Sequence, residues 1–167
     1  MELLEGLQTR RSIRTYTDQA VTREQLREII HSGTMAPSGL NNQPWRFVTI
    51  QNKETLQKLS QLTKYSHVIG KAAACIVVFI DRRAMYHEVK DHQSMGACIQ
   101  NLLLASHGMR LGAVWLGEIL KSAKEVRDLC GLPDDMELMA VVAIGHPAGT
   151  GGRADRQSVE EVLLKEL

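Results

Sequence analysis

The sequences RRSIR at residues 10–14 and APSGLNNQPW at residues 36–45 are the most informative parts of this 167-residue chain. The first places three guanidinium groups and a hydroxyl within five residues, and the planar fork of arginine matches phosphate oxygens. The second is a loop of small and amide-bearing residues closed by a Pro-Trp pair. Backbone and carboxamide groups in such a loop can approach the edge of a flat polar ligand. Together they predict a site for a phosphorylated, planar, hydrogen-bonding cofactor.

The composition predicts one soluble domain over residues 1–167. Hydrophobic residues make up 44% of the chain and charged residues 23%, which is ordinary for a globular protein. The formal net charge of +1 excludes a general polyanion-binding surface, so we expect no nucleic-acid partner. No apolar run reaches the roughly twenty residues of a membrane span, and the N-terminus is too short and acidic for a signal peptide. We therefore expect a cytoplasmic protein without a membrane partner.

Several familiar chemical signatures are missing from the sequence. No GxGxxG, P-loop or GxSxG motif is present. His87 and His92 are five residues apart and miss the spacing that puts two zinc ligands on one helix face. The three cysteines are too dispersed for a disulfide or metal framework. We expect no metal site, and we interpret Cys75 and Cys98 as small buried hydrophobes.

Local patterns predict a mixture of helices and strands. A helix carrying Leu3, Leu4 and Leu7 opens the chain, and the strongest helical period lies between residues 91 and 107, on a helix that we expect to be nearly surrounded by protein. Strands are predicted at residues 46–50, 73–80 and 139–144. Side-chain caps are expected to begin further helices at Thr22, Asn52, Ser122 and Ser158. The regular alternation of a doubly wound sheet is missing, which favours the α+β class.

Four motifs, taken in order and spacing, resemble the FMN-dependent nitroreductase family. They are RRSIR at 10–14, PSGLNNQPW at 37–45, LGAVWLG at 111–117 and AIGHP at 143–147. The resemblance extends from about residue 3 to residue 162. It implies an α+β sandwich with a central, mainly antiparallel sheet flanked by helices, and a homodimer with FMN at the subunit interface.

The resemblance also implies roles for individual residues. One subunit would hold the phosphate, the ribityl chain and the pyrimidine side of the ring through Arg10, Arg11, Ser12 and Arg14, and Arg153 and Arg156 would complete the phosphate cage. The partner subunit would line the isoalloxazine with Pro37, Ser38, Gly39 and Asn41. The backbone of Leu116, Gly117 and Glu118 would pass close to the reactive N5. Arg14 is the cation expected to stabilise negative charge on the reduced ring.

The implied activity is transfer of a hydride from NAD(P)H through flavin N5 to a quinone, nitroaromatic or similar acceptor by a ping-pong mechanism. No side chain needs to act as a nucleophile, so no catalytic residue is assigned. The segment 81–91 is too short for an inserted lid, which favours an open site. Two alternatives stay open: a specialised reductase or dehalogenase of the same fold, and a flavin-binding module without turnover.

Overall fold

The computed structural model describes residues 2–152 and 154–167. Its α-helices are α1 Leu3–Thr9, α2 Arg23–Thr34, α3 Lys53–Ser60, α4 Ser66–Ile69, α5 Glu88–Gly108, α6 Ala123–Leu129 and α7 Val159–Val162. Its strands are β1 Trp45–Ile50, β2 Ala74–Asp81, β3 Gly112–Leu116 and β4 Met136–Gly145. Short 3-10 turns lie at Gly39–Asn41, Arg82–Ala84 and Glu118–Ser122. This is the α+β arrangement predicted from the sequence.

The strands of the described residues form one antiparallel sheet in the order β1-β2-β4-β3. Every residue of β2 is buried, because β2 lies between two strands and is covered by helices on both faces. The buried strand predicted at residues 73–80 is confirmed. Strands β1 and β3 form the two edges of the sheet. On the open side of β3, Ser12 pairs with Ala113 through an isolated parallel bridge. The segment after α1 therefore lies beside the sheet.

Two apolar cores cover the two faces of the sheet. One face carries the buried side chains of α2 and α5. The opposite face carries those of α3, α4 and α6. Cys98 belongs to the first core and Cys75 to the second, both fully buried, so the interpretation of these two cysteines as hydrophobic packing residues is confirmed. Burial raises the pKa of both thiols to about 12.

The helix starts show where local sequence signals suffice. Thr22 and Ser158 form capping boxes, and the side chain of Asn52 accepts the backbone N–H of Thr55, all as predicted. The prediction at Ser122 is wrong, because its side chain accepts no cap hydrogen bond. A 3-10 turn over Glu118–Ser122 runs directly into α6, and Ser122 has φ −114° and ψ 33°. The extended conformation that an N-cap requires is therefore missing.

Helix α5 is longer than predicted and is covered on one side. Met95, Cys98 and Leu102 are fully buried against the sheet and α2. The opposite face, with Gln93, Ala97, Gln100, Asn101 and Leu104, remains exposed or half-buried. The expected nearly complete covering of this helix is therefore not provided by its own chain.

Candidate functional site

A cluster of cations lies where α1 ends beside the C-terminal end of α5. Arg10 is half-buried, and its backbone N–H donates to the Gly6 carbonyl at 3.0 Å, which closes α1. The Arg11 guanidinium donates to the carbonyls of Gln8 and Arg10 at 2.7 and 2.9 Å. These bonds hold Arg11 against the end of the helix.

The segment that follows is fixed to the sheet by backbone contacts and one tyrosine. The Ile13 N–H donates to the Ala113 carbonyl at 3.0 Å. The hydroxyl of Tyr16 bonds the carbonyls of Ile13 and Ala143 at 2.8 and 3.1 Å. Because both ends of the segment are anchored, Ser12 and Arg14 lie on a defined path across the edge of the sheet.

The loop at residues 149–152 packs directly on this segment. A Cβ on Gly151 would lie 2.4 Å from the Arg11 Cβ and 3.1 Å from the Ser12 carbonyl oxygen. Only glycine allows such an approach. The loop leads into exposed Arg156, whose charge acts on Arg10.

The cation cluster has no compensating carboxylates among the described residues. Within 2–152 and 154–167, the ion pairs involve none of Arg10, Arg11, Arg14 and Arg156. Burial, together with the charges of Arg156 and Arg11, lowers the pKa of Arg10. An anion bound here would relieve this repulsion, so the cluster is suited to a phosphate.

His107 extends the polar lining of this region from the last turn of α5. Its Nε2 lies 2.9 Å from the Thr9 hydroxyl oxygen, and that hydroxyl donates its own proton to the Glu5 carbonyl at 2.7 Å. Nε2 is therefore the donor of the first bond. Burial and the nearby Arg10 lower the pKa of His107. His107, Arg11 and Thr150 line part of one cavity of about 820 Å³.

Leu116 and Gly117 lie at the far end of β3 from Ala113. The rise of a strand puts Gly117 about 13 Å from Ala113. Leu116 is buried and Gly117 is exposed. The next residue, Glu118, accepts hydrogen bonds from the Thr63 hydroxyl at 2.6 Å and from the Lys64 N–H at 3.2 Å, and it pairs with Lys121 at 2.6 Å. These contacts anchor the end of β3 and lower the pKa of Glu118 to about 2, with the Lys121 contact as the largest cause.

The loop at residues 37–43 holds an unusual backbone conformation. Leu40, Asn41 and Gln43 have φ values of 54°, 55° and 47°, a left-handed region that costs non-glycine residues roughly 1–2 kcal/mol each. The Ser38 hydroxyl accepts the Gln43 N–H at 3.1 Å. The Asn42 side chain donates to the Ala84 carbonyl at 2.9 Å. Such strain persists only where surrounding contacts determine the conformation, and it is concentrated at functional sites.

Helix α5 separates this loop from the cation cluster. Pro37, Ser38 and Gly39 share a small cavity of about 340 Å³ with Ser94 and its neighbours on the N-terminal half of α5. Ser94 and His107 are thirteen residues apart on one helix, or about 20 Å along its axis. The residues expected to bind the phosphate and those expected to line the ring therefore lie at opposite ends of α5 in one chain.

The structure thus brings only part of the expected site together. The segment 10–14 lies along the β3 edge of the sheet, and Arg156 is near enough to Arg10 for their charges to interact. Pro37, Ser38, Gly39 and Asn41 form a separate group. Arg153 falls outside the described residues. The roles expected for these residues and the contribution from a second subunit stay predictions.

The sequence predicted no role for two residues near the N-terminal end of α5, Asp91 and Tyr86. Asp91 is fully buried and accepts a hydrogen bond from the Asn42 side chain. The ring of Tyr86 packs on Gly39, so closely that a Cβ on Gly39 would lie 2.0 Å from the Tyr86 hydroxyl oxygen. An acidic residue in the first turn of a helix is common. The side-chain partner of Asp91, Asn42, is 49 positions away in the sequence, so no local sequence pattern predicts this contact.

The described residues show neither a metal-ligand cluster nor a membrane-spanning helix. No group of three or more His, Cys, Asp or Glu side chains is arranged to hold a metal ion in the described part of the chain. None of its helices is long and apolar enough to cross a bilayer.

Comparison with known proteins identifies the family. The family model described as "Nitroreductase family" matches residues 7–66 and 60–146. A relative from Archaeoglobus fulgidus, named as an NADH dehydrogenase/NAD(P)H nitroreductase, is 34% identical over 149 residues, covering 87% of this chain and 86% of the relative. The chain belongs to the nitroreductase family.

Solved structures of nitroreductase-family relatives agree closely in fold. A Desulfovibrio desulfuricans protein, described as a nitroreductase in complex with FMN, is 45% identical and superposes with a TM-score of 0.94 over 100% of this chain and 98% of its own. The NADPH:FMN oxidoreductase of Vibrio harveyi, complexed with NAD+, is 27% identical with a TM-score of 0.86, covering 98% of this chain and 76% of its own. The nitroreductase fold expected from the sequence is confirmed.

Proposed function

We propose that this chain is an FMN-dependent NAD(P)H oxidoreductase that works as a homodimer. When bound, FMN supplies a nitrogen, N5, that accepts a hydride from NAD(P)H and passes reducing equivalents to a second substrate. The observation that carries the proposal is the group of Arg10, Arg11 and Arg14, which form no ion pair among the described residues and lie on the segment beside the β3 edge of the sheet. Membership of the nitroreductase family and the FMN complex of the Desulfovibrio relative support it.

The phosphate end of the cofactor suits the cations at the end of α1. Arg10 and Arg156 are close enough for their charges to interact, and each guanidinium can donate two parallel hydrogen bonds to phosphate. Arg153, three positions before Arg156, would add a third cation. Gly151 lets the loop at 149–152 close over Arg11 without a side chain in the way.

The ring side of the site lies further along the segment and at the end of β3. Arg14 is exposed and would stabilise negative charge that develops on the pyrimidine side during reduction. The backbone of Leu116 and Gly117 would run beside the ring, and the bonds of Glu118 hold this turn in place. No side chain is required as a nucleophile, because the hydride would pass from NAD(P)H to the flavin and, after that nucleotide has left, from the flavin to the acceptor.

The second half of the site would come from a partner subunit. In a symmetric pair whose two-fold axis is perpendicular to α5, two α5 helices packed through their uncovered faces would run antiparallel. The N-terminal end of one would then lie beside the C-terminal end of the other. This arrangement would bring Pro37, Ser38, Gly39 and Asn41 of one copy towards Arg10 of the other. It would also cover the face of α5 that its own chain leaves open.

The electron acceptor is proposed to be a quinone, nitroaromatic or similar small molecule. Residues 82–87 between β2 and α5 form only a short 3-10 turn and a connector, so no long insertion covers the cavity beside Pro37. One open face would serve NAD(P)H and the acceptor in turn, which gives a ping-pong scheme.

Purification and anaerobic titration test this function. We expect the protein to be yellow or to bind added FMN, to lose flavin absorbance on addition of NADH or NADPH, and to recover it with menadione. Parallel lines in double-reciprocal plots are expected for ping-pong kinetics. Bound flavin that stays oxidised with both nucleotides would favour a binding module, and a protein that refuses FMN would overturn the proposal.

A further inference from the structure

Asp91 is a fully buried carboxylate in the first turns of α5. Both of its carboxylate oxygens accept hydrogen bonds. Oδ1 accepts the Asn42 side-chain N–H at 2.6 Å, and Oδ2 accepts the backbone N–H groups of Tyr86 and His87 at 2.9 and 2.8 Å. A buried charge is costly unless it is fully hydrogen-bonded, so these three donors explain how it is tolerated.

The three donors belong to the two segments that border the cavity at the N-terminal end of α5. Asn42 lies within the strained loop, between Asn41 and Gln43, which both have positive φ. Tyr86 lies on the opposite wall, with its ring against Gly39. One carboxylate therefore fixes the strained loop and the connector relative to each other.

Asn42 is well suited to transmit this constraint. Its own φ of −72° is ordinary, and its amide nitrogen donates both to Asp91 and to the Ala84 carbonyl. The Asn42 Oδ1 atom is buried and accepts no hydrogen bond from the described residues, so among them the amide is oriented by the acceptors of its nitrogen. Removal of the acceptor at Asp91 would leave this orientation, and the turn around it, weakly determined.

We infer that Asp91 is a positioning residue that acts through Asn42 to hold residues 38–43 in the conformation that presents Gly39 and Asn41 to the flavin. This inference rests on the proposed function, since it assigns a purpose to the strain only if the loop meets the cofactor. Burial alone would raise the pKa of Asp91, but its hydrogen bonds with His87, Asn42 and Tyr86 outweigh burial and lower it. The carboxylate is therefore charged at neutral pH, and charged acceptors make the stronger hydrogen bonds.

The test is a double-mutant cycle on Asp91→Asn and Asn42→Ala. In Asp91→Asn, the new amide oxygen can still accept from Tyr86 and His87, but its NH2 group faces the Asn42 donor. We expect either single change to raise the FMN dissociation constant about tenfold to a hundredfold, and to change the visible circular dichroism of bound flavin. Because Asp91 acts through Asn42, the double variant should bind FMN no more weakly than Asn42→Ala.

A matched core variant separates positioning from general stability. Met95 lies one turn further along α5, is fully buried, and belongs to a core cluster that includes none of residues 38–43, so we use Met95→Val. It should lower the melting temperature and leave FMN affinity unchanged. A purely structural role for Asp91 predicts the same pattern for Asp91→Asn, and that result would overturn the inference.

The design stays informative if Asp91→Asn does not fold. Asn42→Ala removes no charge and leaves Asp91 two backbone donors, so wild-type FMN affinity and dichroism in Asn42→Ala would refute the inference by themselves. Multiplicative effects in the cycle would also refute it. Failure of the wild-type protein to bind FMN would instead count against the proposed function.

Discussion

The two ends of α5 satisfy their polar groups in opposite ways. At the C-terminal end, the charges of Arg11 and Arg156 repel Arg10, and none of the three forms an ion pair with a described carboxylate. At the N-terminal end, a buried carboxylate and a serine hydroxyl hold the strained loop. In our proposal one end depends on a bound phosphate to balance its charge, whereas the other is held by the protein's own hydrogen bonds.

This difference predicts how each end responds to substitution. Removal of a repelling cation should weaken ligand binding without harming the unliganded protein. Removal of a loop contact should disturb the unliganded protein as well. The following variants test this contrast, beginning with the change expected to have the largest effect.

Gly96→Leu should abolish dimerisation and FMN binding together. Apart from the adjacent backbone of α5 itself, no atom of the described residues lies within 4 Å of a Cβ placed at Gly96. Leucine also favours a helix over glycine by about 1 kcal/mol. A monomer would therefore tolerate the change, whereas two α5 faces in contact would be forced apart. Sedimentation and flavin absorbance provide the measurements.

Lys58→Leu is the matched control for Gly96→Leu. It adds a leucine to an exposed position of α3, with an i,i+4 pair to Glu54 as its only ion pair among the described residues. It should keep both the dimer and the flavin. A monomeric Gly96→Leu protein that still binds FMN with wild-type affinity would show that the two ends of α5 are not joined across a subunit interface.

Arg10→Gln should raise the FMN dissociation constant about thirtyfold to 150-fold. Charge-assisted contacts to phosphate are worth about 2–3 kcal/mol, and glutamine keeps much of the side-chain length without the charge. The melting temperature of the flavin-free protein should stay constant or rise, because repulsion from Arg156 and Arg11 is relieved. Fluorescence titration and calorimetry measure the two quantities.

Arg23→Gln, at the exposed start of α2, is the comparison for Arg10→Gln and should bind FMN like wild type. Inorganic phosphate should also raise the melting temperature of flavin-free wild type more than that of Arg10→Gln. Equal phosphate effects in the two proteins would contradict a phosphate site at this cluster.

The contrast between the two ends also explains what the sequence could predict. Helix caps such as Thr22 and Ser158 depend on residues three positions apart, and the buried strand β2 depends on its own apolar run. Both can therefore be predicted from the local sequence. Ser122 has the same pattern as Thr22, but the preceding 3-10 turn removes the extended backbone that capping needs. Local pattern alone does not contain that information.

The residues of the candidate site were predicted mainly from the resemblance to the nitroreductase family, and less from the physical chemistry of the residues themselves. The arginines of residues 10–14 attract attention because several charges share five positions. Asp91 does not, since its partner Asn42 is 49 residues away and only the fold brings them together. The strain at Leu40 is equally invisible, because leucine gives no sign of a positive φ.

Gly39→Ala should lower kcat/KM about fivefold, a smaller effect than that of Arg10→Gln. The new methyl group would lie 2.5 Å from the Tyr86 Cε1 atom, and overpacking in a tight contact costs about 1–3 kcal/mol. Tyr86 is 42% exposed, so its ring can move and the cost should fall at the low end of that range. The double change Gly39→Ala with Tyr86→Ala should recover stability, and steady-state kinetics and melting curves measure both effects. Loss of stability without any recovery in the double variant would place the strain elsewhere in the loop.

Glu118→Gln should produce the smallest effect, confined to the pH dependence of stability. Hydrogen bonds from Lys121 and Thr63 lower the pKa of Glu118 from 4.5 to about 2, so its contribution is fully present above pH 4.5 and is lost as the pH falls towards 2. Glu118→Gln should therefore melt below wild type at pH 7, and the difference should shrink across this window. Glu125→Gln, an exposed change in the adjacent helix, supplies the reference curve. A difference in melting temperature that does not change with pH would contradict a contribution from the charge of Glu118. Equal melting of Glu118→Gln and wild type at every pH would mean that contacts other than those of Glu118 hold the turn after Gly117, unlike the loop at residues 38–43.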